Sequence, residues 1–389
     1  MGVQLTSGRE MDSDHNARRA AASPPSVAPL IVRFAAFGDI VLLATLIEVL
    51  YRRYGRTVDL LSSGAWTRPL LAADPRVNHI QLITSRKSPY PLRPSQWQAV
   101  RWLRRRGLGA VYLCDPEPKA QWLVDHAGIG REWVVRAHDH PAATLVHWTD
   151  WWLAIGQLTP QALVGRVAPL EARGADTVPR LYVSNEARAD CTKWLAAHGW
   201  VGAPLVLLQP GNKRTLKRGR LATLNDAKHW PAGRWGEVVR GVLRLEPRAQ
   251  VLLCGAPAEA GVLDAICQAA QGTAATRGAT AEQRVHNLAH ELPVPRLLAL
   301  LERAHSMISV DTGPAHAAAA LDCPLTVLFA SQDQRLWRPR SPAGRVASLG
   351  GWAGAASRLT DISAGEVLSA WQALGGAGGL ASVRPGFPA

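Results

Sequence analysis

The residues with the clearest chemical potential lie in the stretch Val310-Asp311-Thr312-Gly313-Pro314-Ala315-His316, where an apolar run gives way to an alanine-rich segment. This order of residue types predicts a strand, a tight turn and a helix, with Thr312 as the N-cap and Pro314 in the first helical turn. The N–H groups at such a helix start attract anions, most often phosphate, and His316 in the first turn could contact the same ligand. The stretch also fits an ordinary strand–helix connection in which the polar residues only cap the helix, and the residues alone do not decide between the two.

Similar groups follow two earlier predicted strands in the second half of the chain. Pro210-Gly211 and Gly255 each place backbone N–H groups at a strand end, and Thr223 and Lys228 lie between them. Lys228 would supply a positive charge for phosphate, and Glu259 could accept hydrogen bonds from ribose hydroxyls, as an acidic residue does in dinucleotide-binding folds. Each residue alone also fits a plain structural role, such as a solvated lysine or a glutamate that starts a helix. Their recurrence at successive strand ends indicates a site for a nucleoside diphosphate.

A carboxylate follows the first predicted strand of the other half, at Gly38-Asp39. A side chain at this strand end would lie near a reacting carbon but away from the diphosphate, which suits a base that activates a hydroxyl. Asp39 equally fits a residue that caps a helix beginning at Ile40. The residue types leave both interpretations open.

Short apolar runs and amphipathic segments alternate along most of the chain and would position these residues. The predicted strands are 30–34, 57–61, 78–83, 110–114, 205–209, 249–254, 306–310 and 325–330. The predicted helices are 40–54, 65–73, 95–106, a segment after Pro118, 185–198, 235–244, 294–304 and 364–373. This alternation predicts an α/β protein with two mostly parallel, doubly wound sheets, in which ligands bind at the carboxyl ends of the strands.

The same patterns divide the chain into four regions. Residues 1–28 are polar and aperiodic, which predicts a disordered leader. Residues 29–178 and 179–362 each form a Rossmann-like domain beside a shared cleft, and the first ends in a Pro/Gly/Ala-rich linker at 159–178. Residues 363–389 hold a last helix and a flexible, glycine-rich tail.

The composition excludes several classes of protein. At 389 residues, with 47% hydrophobic and 19% charged residues, the chain is long enough for two domains and is not of the disordered class. The longest apolar run, Ile40 to Ile47, is far shorter than the ~20 residues of a membrane-spanning helix, and acidic residues near the N-terminus argue against a secretory signal. The five cysteines are scattered and never form CxxC, so they indicate small buried residues in a reducing compartment. The expected location is the cytoplasm.

The formal net charge of +14 implies an acidic partner: nucleic acid, an anionic membrane or a phosphorylated substrate. No zinc finger, RNP-type motif or basic zipper is present, so we expect no specific nucleic acid. Seven of the 15 tryptophans fall between residues 97 and 152, interleaved with arginines. They could stack on bases or sugars, but core packing and anchoring at a lipid interface are the favoured interpretation.

Three motifs resemble those of the ADP-heptose:lipopolysaccharide heptosyltransferases, glycosyltransferase family 9. Arg33-Phe34-Ala35-Ala36-Phe37-Gly38-Asp39-Ile40-Val41-Leu42-Leu43 resembles the opening of that family. Lys228-His229-Trp230-Pro231 resembles its middle motif, and Val310-Asp311-Thr312-Gly313-Pro314-Ala315-His316-Ala317-Ala318-Ala319 its C-terminal signature. The motifs occur in the family's order, and the resemblance runs from about residue 30 to residue 375.

The resemblance implies a GT-B fold, with an N-terminal acceptor domain and a C-terminal nucleotide-sugar domain facing a cleft. It implies inverting transfer of heptose from ADP-heptose to the inner core of lipopolysaccharide, without a metal ion or cofactor. It further implies that Asp39 is the base that deprotonates the acceptor hydroxyl and that Arg33 lies near the acceptor. The residues that would hold the donor are Gly38, Gly211, Thr223, Lys228, Glu259, Asp311, Thr312, Gly313 and His316.

We therefore expect a monomeric glycosyltransferase that works in the cytoplasm, peripheral at the inner face of the inner membrane. Its acceptor would be a lipopolysaccharide core or lipid A precursor, and the anionic leaflet would attract its basic surface.

Two departures from the family leave the exact donor and acceptor open. Ala35 stands where the family often carries Ser or Thr, and the basic segment 212–221 is longer than usual. The alternatives are a GT-B transferase with another nucleotide sugar and a different glycan or protein acceptor, a non-catalytic nucleotide-binding relative, and a sugar-nucleotide epimerase of similar fold.

Overall fold

The computed structural model describes residues 27–84, 90–142, 144–171, 178–211, 216–217, 220–221, 229–271, 284–351 and 358–376. Within these ranges the chain forms two α/β halves, each built on one parallel sheet. Nearly all of the predicted leader, part of the predicted linker (172–177) and the predicted tail from residue 377 onward lie outside the described residues.

The first half has five strands: β1 (Leu30–Arg33), β2 (Val58–Ser63), β3 (Val77–Ile83), β4 (Val111–Leu113) and β5 (Val134–Arg136). Its helices are α1 (Phe37–Tyr54), α2 (Thr67–Leu71), α3 (Pro94–Arg105), α4 (Pro118–His126) and α5 (Trp148–Gln157). All of the strands are parallel, in the order β3-β2-β1-β4-β5. The order runs outward from β1 in both directions, so the switch point, where such sheets bind ligands, lies at the end of β1.

The second half has the strands β6 (Leu205–Gln209), β7 (Leu216–Lys217), β8 (Arg220–Leu221), β9 (Gln250–Leu253), β10 (Val285–Asn287), β11 (Ser306–Val310), β12 (Leu325–Phe329) and β13 (Val346–Gly350). Its helices are α6 (Asn185–Ala197), α7 (Ala232–Leu245), α8 (Ala260–Gln271), α9 (Val294–Arg303), α10 (Gly313–Ala320), α11 (Gln334–Trp337) and α12 (Ala364–Trp371). Six strands form a parallel sheet in the order β10-β9-β6-β11-β12-β13, and β7 pairs with β8 apart from it. The switch point of this sheet lies between β6 and β11, and the Asp-Thr-Gly-Pro motif begins at the end of β11.

The prediction of two parallel, doubly wound sheets is confirmed, but the predicted start of the first helix is wrong. Helix α1 begins at Phe37 rather than Ile40, so Gly38 and Asp39 belong to its first turn. The early start has a local cause, because Oδ2 of Asp39 accepts a hydrogen bond from the N–H of Ala36 at 3.1 Å.

Several elements have no counterpart among the sequence predictions. They are β5, β7, β8, β10, β13, α5, α8 and α11. Strands β5 and β10 have three residues each, which is too short for an alternating pattern to be visible. The helix predicted at 65–73 is shorter than expected, since α2 covers only Thr67–Leu71.

Helix α1 of the first half also packs against the second half. All residues from Ile40 to Ile47 are buried, because α1 packs against α5 of the first half and against α10 of the second. Five of the eight residues of α10 are alanines, and such small side chains let the two helices approach closely. One continuous cluster of buried apolar side chains therefore extends from Leu43 in α1 to Met307 in β11. A helix that is apolar all round is expected to be buried in this way.

One of the seven tryptophans between residues 97 and 152 differs from the others in its exposure. Six of the seven pack against the apolar cores: Trp102, Trp122, Trp133, Trp148, Trp151 and Trp152. This confirms the predicted core packing for those six, whereas Trp97 is exposed. None of the five cysteines, all in described segments, forms a disulfide. No helix within the described ranges combines the length and the apolar character needed to cross a membrane.

Candidate active site at two facing helix starts

The start of α1 and the start of α10 touch each other across the boundary between the halves. A Cβ atom added to Gly38 would lie 3.0 Å from Cδ2 of His316 and 3.3 Å from Cα of Gly313. A Cβ atom added to Gly313 would lie 2.7 Å from Cδ1 of Phe37 and 3.1 Å from the backbone nitrogen of Gly38. Neither position has room for a side chain, so the two glycines allow the first and the last sequence motif to meet.

Asp39 is half-buried in the first turn of α1, where its carboxylate caps its own helix. The hydrogen bond from the N–H of Ala36 fixes the carboxylate at the helix start, next to Gly38 and therefore beside the α10 motif. The capping role and the predicted role as a base are compatible, because a carboxylate has two oxygens and each can accept more than one hydrogen bond.

His316 and Asp311 lie together at the start of α10. Nε2 of His316 is 3.8 Å from Oδ1 of Asp311, and the two side chains are only 6% and 11% exposed. Thr312 occupies the predicted N-cap position of α10. Its backbone is extended, with φ −156° and ψ 168°, but its predicted capping hydrogen bond is absent within the described helix.

The loops after β6 and β9 meet at the buried side chain of Glu259. Its Oε2 accepts a hydrogen bond from the N–H of Ala256 at 2.8 Å. A Cβ atom added to Gly211 would overlap the same carboxylate, and one added to Gly255 would lie 3.3 Å from Oε2. The two predicted strand ends therefore converge, with Glu259 between them, while its contact with ribose stays a prediction.

Arg33 lies at the end of β1, beside the end of β4. Its Nη1 donates a hydrogen bond to the carbonyl oxygen of Cys114 at 2.9 Å, and its guanidinium carbon is 5.7 Å from the ring centroid of Trp152. This position lies at the switch point of the first sheet. A role in acceptor binding stays a prediction.

Asp115 is a residue of this edge that the sequence analysis missed. Its Oδ2 accepts a hydrogen bond from the N–H of Phe34 at 2.8 Å and its Oδ1 one from the N–H of Glu117 at 3.0 Å, so it joins the ends of β1 and β4. A cavity of about 180 Å³ lies beside it and is also lined by Arg136 and His138. Asp115 directly follows the strand predicted at 110–114, and this position could have identified it.

Two side chains just before and within α5 hold the second half against the first. Nε2 of His147 donates to the carbonyl oxygen of Arg338 at 2.8 Å, and its Nδ1 accepts from the N–H of Thr149 at 3.2 Å. Burial, assisted by the positive charge of Arg340, lowers the pKa of His147 to about 4, so the ring is neutral at pH 7. Asp150 accepts two hydrogen bonds from Arg340 at 2.6 and 2.8 Å. Nothing in the sequence pattern indicates these contacts.

The middle motif is only partly described. Thr223 and Lys228 lie outside the described residues, as do the side chains of the basic segment 212–221. Trp230 of this motif is a core residue, because its Nε1 donates to the carbonyl oxygen of Ile362 at 3.1 Å and its ring meets Trp235 edge-on at 4.9 Å. Within the described ranges, His, Cys, Asp and Glu side chains form no group of three or more that could hold a metal ion.

The sequence of the second half matches a known family. The model of glycosyltransferase family 9 (heptosyltransferase) matches residues 169–363, which are half of the chain. Lipopolysaccharide heptosyltransferase 3 of Escherichia coli is 32% identical over 147 residues, which are 37% of this chain and 36% of that protein. The match therefore spans about a third of that curated relative.

Solved structures resemble the chain over most of its length. The E. coli ADP-heptose lipopolysaccharide heptosyltransferase II has a TM-score of 0.66 at 19% identity, covering 89% of this chain and 98% of that one. A family 9 glycosyl transferase of Veillonella parvula has a TM-score of 0.68 at 14% identity, covering 90% and 97%. The E. coli heptosyltransferase WaaC, solved with ADP, has a TM-score of 0.62 at 17% identity, covering 89% and 99%.

At these identities the likeness concerns the fold, and it confirms the predicted GT-B architecture of two facing Rossmann-like halves. The match over half of the sequence carries the further conclusion that this chain belongs to glycosyltransferase family 9, the heptosyltransferases.

Proposed function

We propose that this protein transfers heptose from ADP-heptose to the inner core of lipopolysaccharide with inversion. The contact between Gly38 and Gly313 carries the proposal, because the Asp39 carboxylate and the Asp311–His316 motif lie on either side of it. A base held opposite a donor-binding motif is what an inverting transfer requires. The family membership supports the class of reaction.

In the proposed reaction, Asp39 accepts the proton of the acceptor hydroxyl while the hydroxyl oxygen attacks the anomeric carbon of heptose. The attack comes from the side opposite the diphosphate, so the configuration at that carbon inverts. The glycosidic bond forms as the bond between the anomeric carbon and the diphosphate oxygen breaks, and ADP leaves with the electron pair of that bond. The start of α10 and the charge of Lys228 stabilise the negative charge that develops on the diphosphate.

The second half would hold the donor. Glu259 is buried between the ends of β6 and β9 and would accept hydrogen bonds from the ribose hydroxyls. Thr312 and Gly313 at the start of α10, with Thr223 from the middle motif, would contact the diphosphate. His316, 3.8 Å from the carboxylate of Asp311, would orient the heptose or nucleotide.

The first half would hold the acceptor. Arg33 at the end of β1 and the cavity beside Asp115 lie at the same sheet edge as Asp39. The net charge of +14 favours an acidic acceptor such as a phosphorylated lipid A precursor carrying core sugars. We propose that the protein acts as a monomer in the cytoplasm, at the inner face of the inner membrane.

The test combines several nucleotide sugars with lipopolysaccharide cores truncated at successive inner-core positions. The proposal predicts one product with a single added heptose, formed from ADP-heptose, with an inverted anomeric configuration by NMR. It also predicts that ADP raises the melting temperature more than UDP or GDP does.

Each other outcome points to one of the alternatives. Transfer from another nucleotide sugar, or to another glycan or a protein, would replace the substrates and keep the transferase. Nucleotide binding without any transfer would favour a non-catalytic relative, and consumption of a nucleotide sugar without acceptor would favour an epimerase.

A further inference from the structure

The exposed side of α3 combines arginines with apolar side chains. We call this surface the α3 face. It consists of Trp97, Arg101, Arg104 and Arg105 on the helix, with Leu92 before the helix and Leu108 after it. Trp97, Arg101 and Arg104 recur at intervals of three or four residues and therefore lie along one side of the helix. The opposite side of α3 is buried in the core of the first half.

The apolar side chains of the α3 face are exposed to solvent. Leu92 is 77% exposed, Leu108 53% and Trp97 37%. The indole Nε1 of Trp97 donates to the carbonyl oxygen of Pro91 at 2.8 Å, and the ring packs edge-on against Trp122 with centroids 5.6 Å apart. Trp97 is thus fixed at the surface with its polar atom satisfied, and tryptophan in this state is enriched where water meets lipid.

All charged side chains of the α3 face are positive. Residues 94–108 contain no Asp or Glu, and no salt bridge between described residues involves Arg101, Arg104 or Arg105. The neighbouring Arg106 differs, because it turns inward and pairs with Asp59 at 3.2 Å. The α3 face therefore presents three adjacent positive charges that the described part of the protein does not neutralise.

The start of α3, with Leu92 and Trp97, lies on the Asp39 side of the molecule. Leu92 and the start of α3 follow β3, at the carboxyl edge of the first sheet, and Asp39 follows β1 at the same edge. Only β2 separates β3 from β1, a lateral distance of about 10 Å. A surface in contact with Leu92 and Trp97 would thus lie close to the proposed acceptor side of the cleft.

We propose that the α3 face docks this protein on an anionic lipid bilayer. Leu92, Trp97 and Leu108 enter the headgroup region, while the three arginines meet anionic headgroups. Nucleic acid would engage the arginines but would gain nothing from two exposed leucines. The docking itself does not depend on the proposed function; only its purpose, presenting a lipid-borne acceptor to Asp39, rests on it.

The first test is sedimentation with vesicles of phosphatidylcholine, with or without phosphatidylglycerol. Wild type should bind the anionic vesicles, less so at high salt. Each basic side chain near such a surface is worth about fivefold in binding, so a variant with Arg101→Gln, Arg104→Gln and Arg105→Gln should bind roughly a hundredfold more weakly. The matched control carries Arg240→Gln, Arg244→Gln and Arg248→Gln, which remove the same charge from exposed positions four residues apart on and just after α7.

A second measurement reports contact directly and does not depend on a change of charge. An environment-sensitive dye on Leu92→Cys should shift to shorter emission wavelength with anionic vesicles, whereas the same dye on Val201→Cys, 61% exposed in the second half, should not. Equal vesicle binding by the two triple-arginine variants, equal dye shifts, or no binding by wild type would overturn the proposal. Because none of these readouts uses ADP-heptose, failure of the proposed transfer reaction would be seen separately.

Discussion

Helices α1 and α10 begin in contact with each other, but their first turns are completed differently. At α1 the protein supplies its own anion, because the carboxylate of Asp39 accepts the N–H of Ala36. At α10 Thr312 occupies the N-cap position, and within the described helix its hydroxyl makes no capping hydrogen bond. The first arrangement fixes a carboxylate in place, and the second suits a helix start whose anion is a ligand.

The contact between the two helix starts also involves their partial charges. Two helix starts bring like partial charges together, which is unfavourable unless anions lie between them or apolar contacts compensate. Here Asp39 lies at one start, and the largely apolar α1 packs against the alanine-rich α10 within one buried cluster. Substitutions at one helix start and not the other therefore test which role each start has.

Among changes to the contact itself, the largest effect is expected from filling the space between the two starts. A methyl group at Gly313 would meet Phe37 at 2.7 Å and the backbone of Gly38 at 3.1 Å. We expect Gly313→Ala to cost about 1–3 kcal/mol of unfolding free energy, and to lower transferase activity about a hundredfold by displacing Asp39 from the donor motif. Denaturant unfolding and initial rates of ADP release would measure the two effects.

Two further variants sharpen this prediction. Gly38→Ala places a methyl group 3.0 Å from the ring of His316 and 3.3 Å from Cα of Gly313, less close than the 2.7 Å contact in Gly313→Ala, so its effect should be milder. Gly261→Ala, whose added Cβ has no neighbour within 4 Å, should leave activity unchanged. Because alanine favours a helix over glycine, it should keep stability or raise it by up to about 1 kcal/mol. Wild-type activity in Gly313→Ala would mean that the contact between the helix starts is not needed for the reaction.

The next effect concerns the contact that holds the halves together at His147. Its pKa is about 4 in the folded protein, against an ordinary value of 6.5, so the unfolded state binds the proton more readily. The stability that neutral His147 contributes is complete above pH 6.5 and is lost as the pH falls toward 4, by roughly 3 kcal/mol. His147→Asn should therefore show a flatter decline in unfolding free energy with falling pH than wild type.

Denaturant unfolding at several pH values would measure this difference, with His126→Asn, at an exposed position, as the control. If the curves of wild type and His147→Asn run parallel between about pH 7 and about pH 4, His147 does not link the halves as described.

The smallest effect compares two N-cap positions directly. Oγ of Ser184 accepts a hydrogen bond from the N–H of Ala187 at 3.1 Å, so Ser184→Ala should cost about 1 kcal/mol. Thr312→Ala removes no such bond and should cost only a few tenths of a kcal/mol, while weakening ADP binding severalfold. Thermal unfolding and calorimetric titration with ADP would separate the two, and a large stability loss with unchanged ADP affinity in Thr312→Ala would reverse the interpretation of α10.

Residues just past the ends of the strands could be recognised from the sequence. Gly211, Glu259, Asp311 and Asp39 could be assigned to sheet edges, because apolar runs of strand length end just before them and parallel strands align their carboxyl ends. The fold class could be predicted from the same alternation. The early start of α1 was less visible, since it depends on one hydrogen bond to the carboxylate of Asp39.

Contacts between the halves could not be predicted from the sequence. The approach of Gly38 to Gly313 and the hydrogen bond from His147 to Arg338 depend on how two separately predictable units are oriented, which no local pattern encodes. The exposure of Trp97 was hidden for a related reason. Six neighbouring tryptophans of similar sequence context are packed against the cores, and only tertiary structure distinguishes them.

The most direct test of Asp39 as the base is ADP release from ADP-heptose, with and without a truncated lipopolysaccharide core, in wild type and Asp39→Asn. The control is Asp125→Asn, an exposed aspartate on α4. We predict that release requires the core, that Asp39→Asn lowers the rate by about 10²–10⁴, and that ADP binds the variant as tightly as wild type. An Asp39→Asn enzyme that releases ADP at the wild-type rate in the presence of core would contradict the assignment of the α1 start as the site of the base.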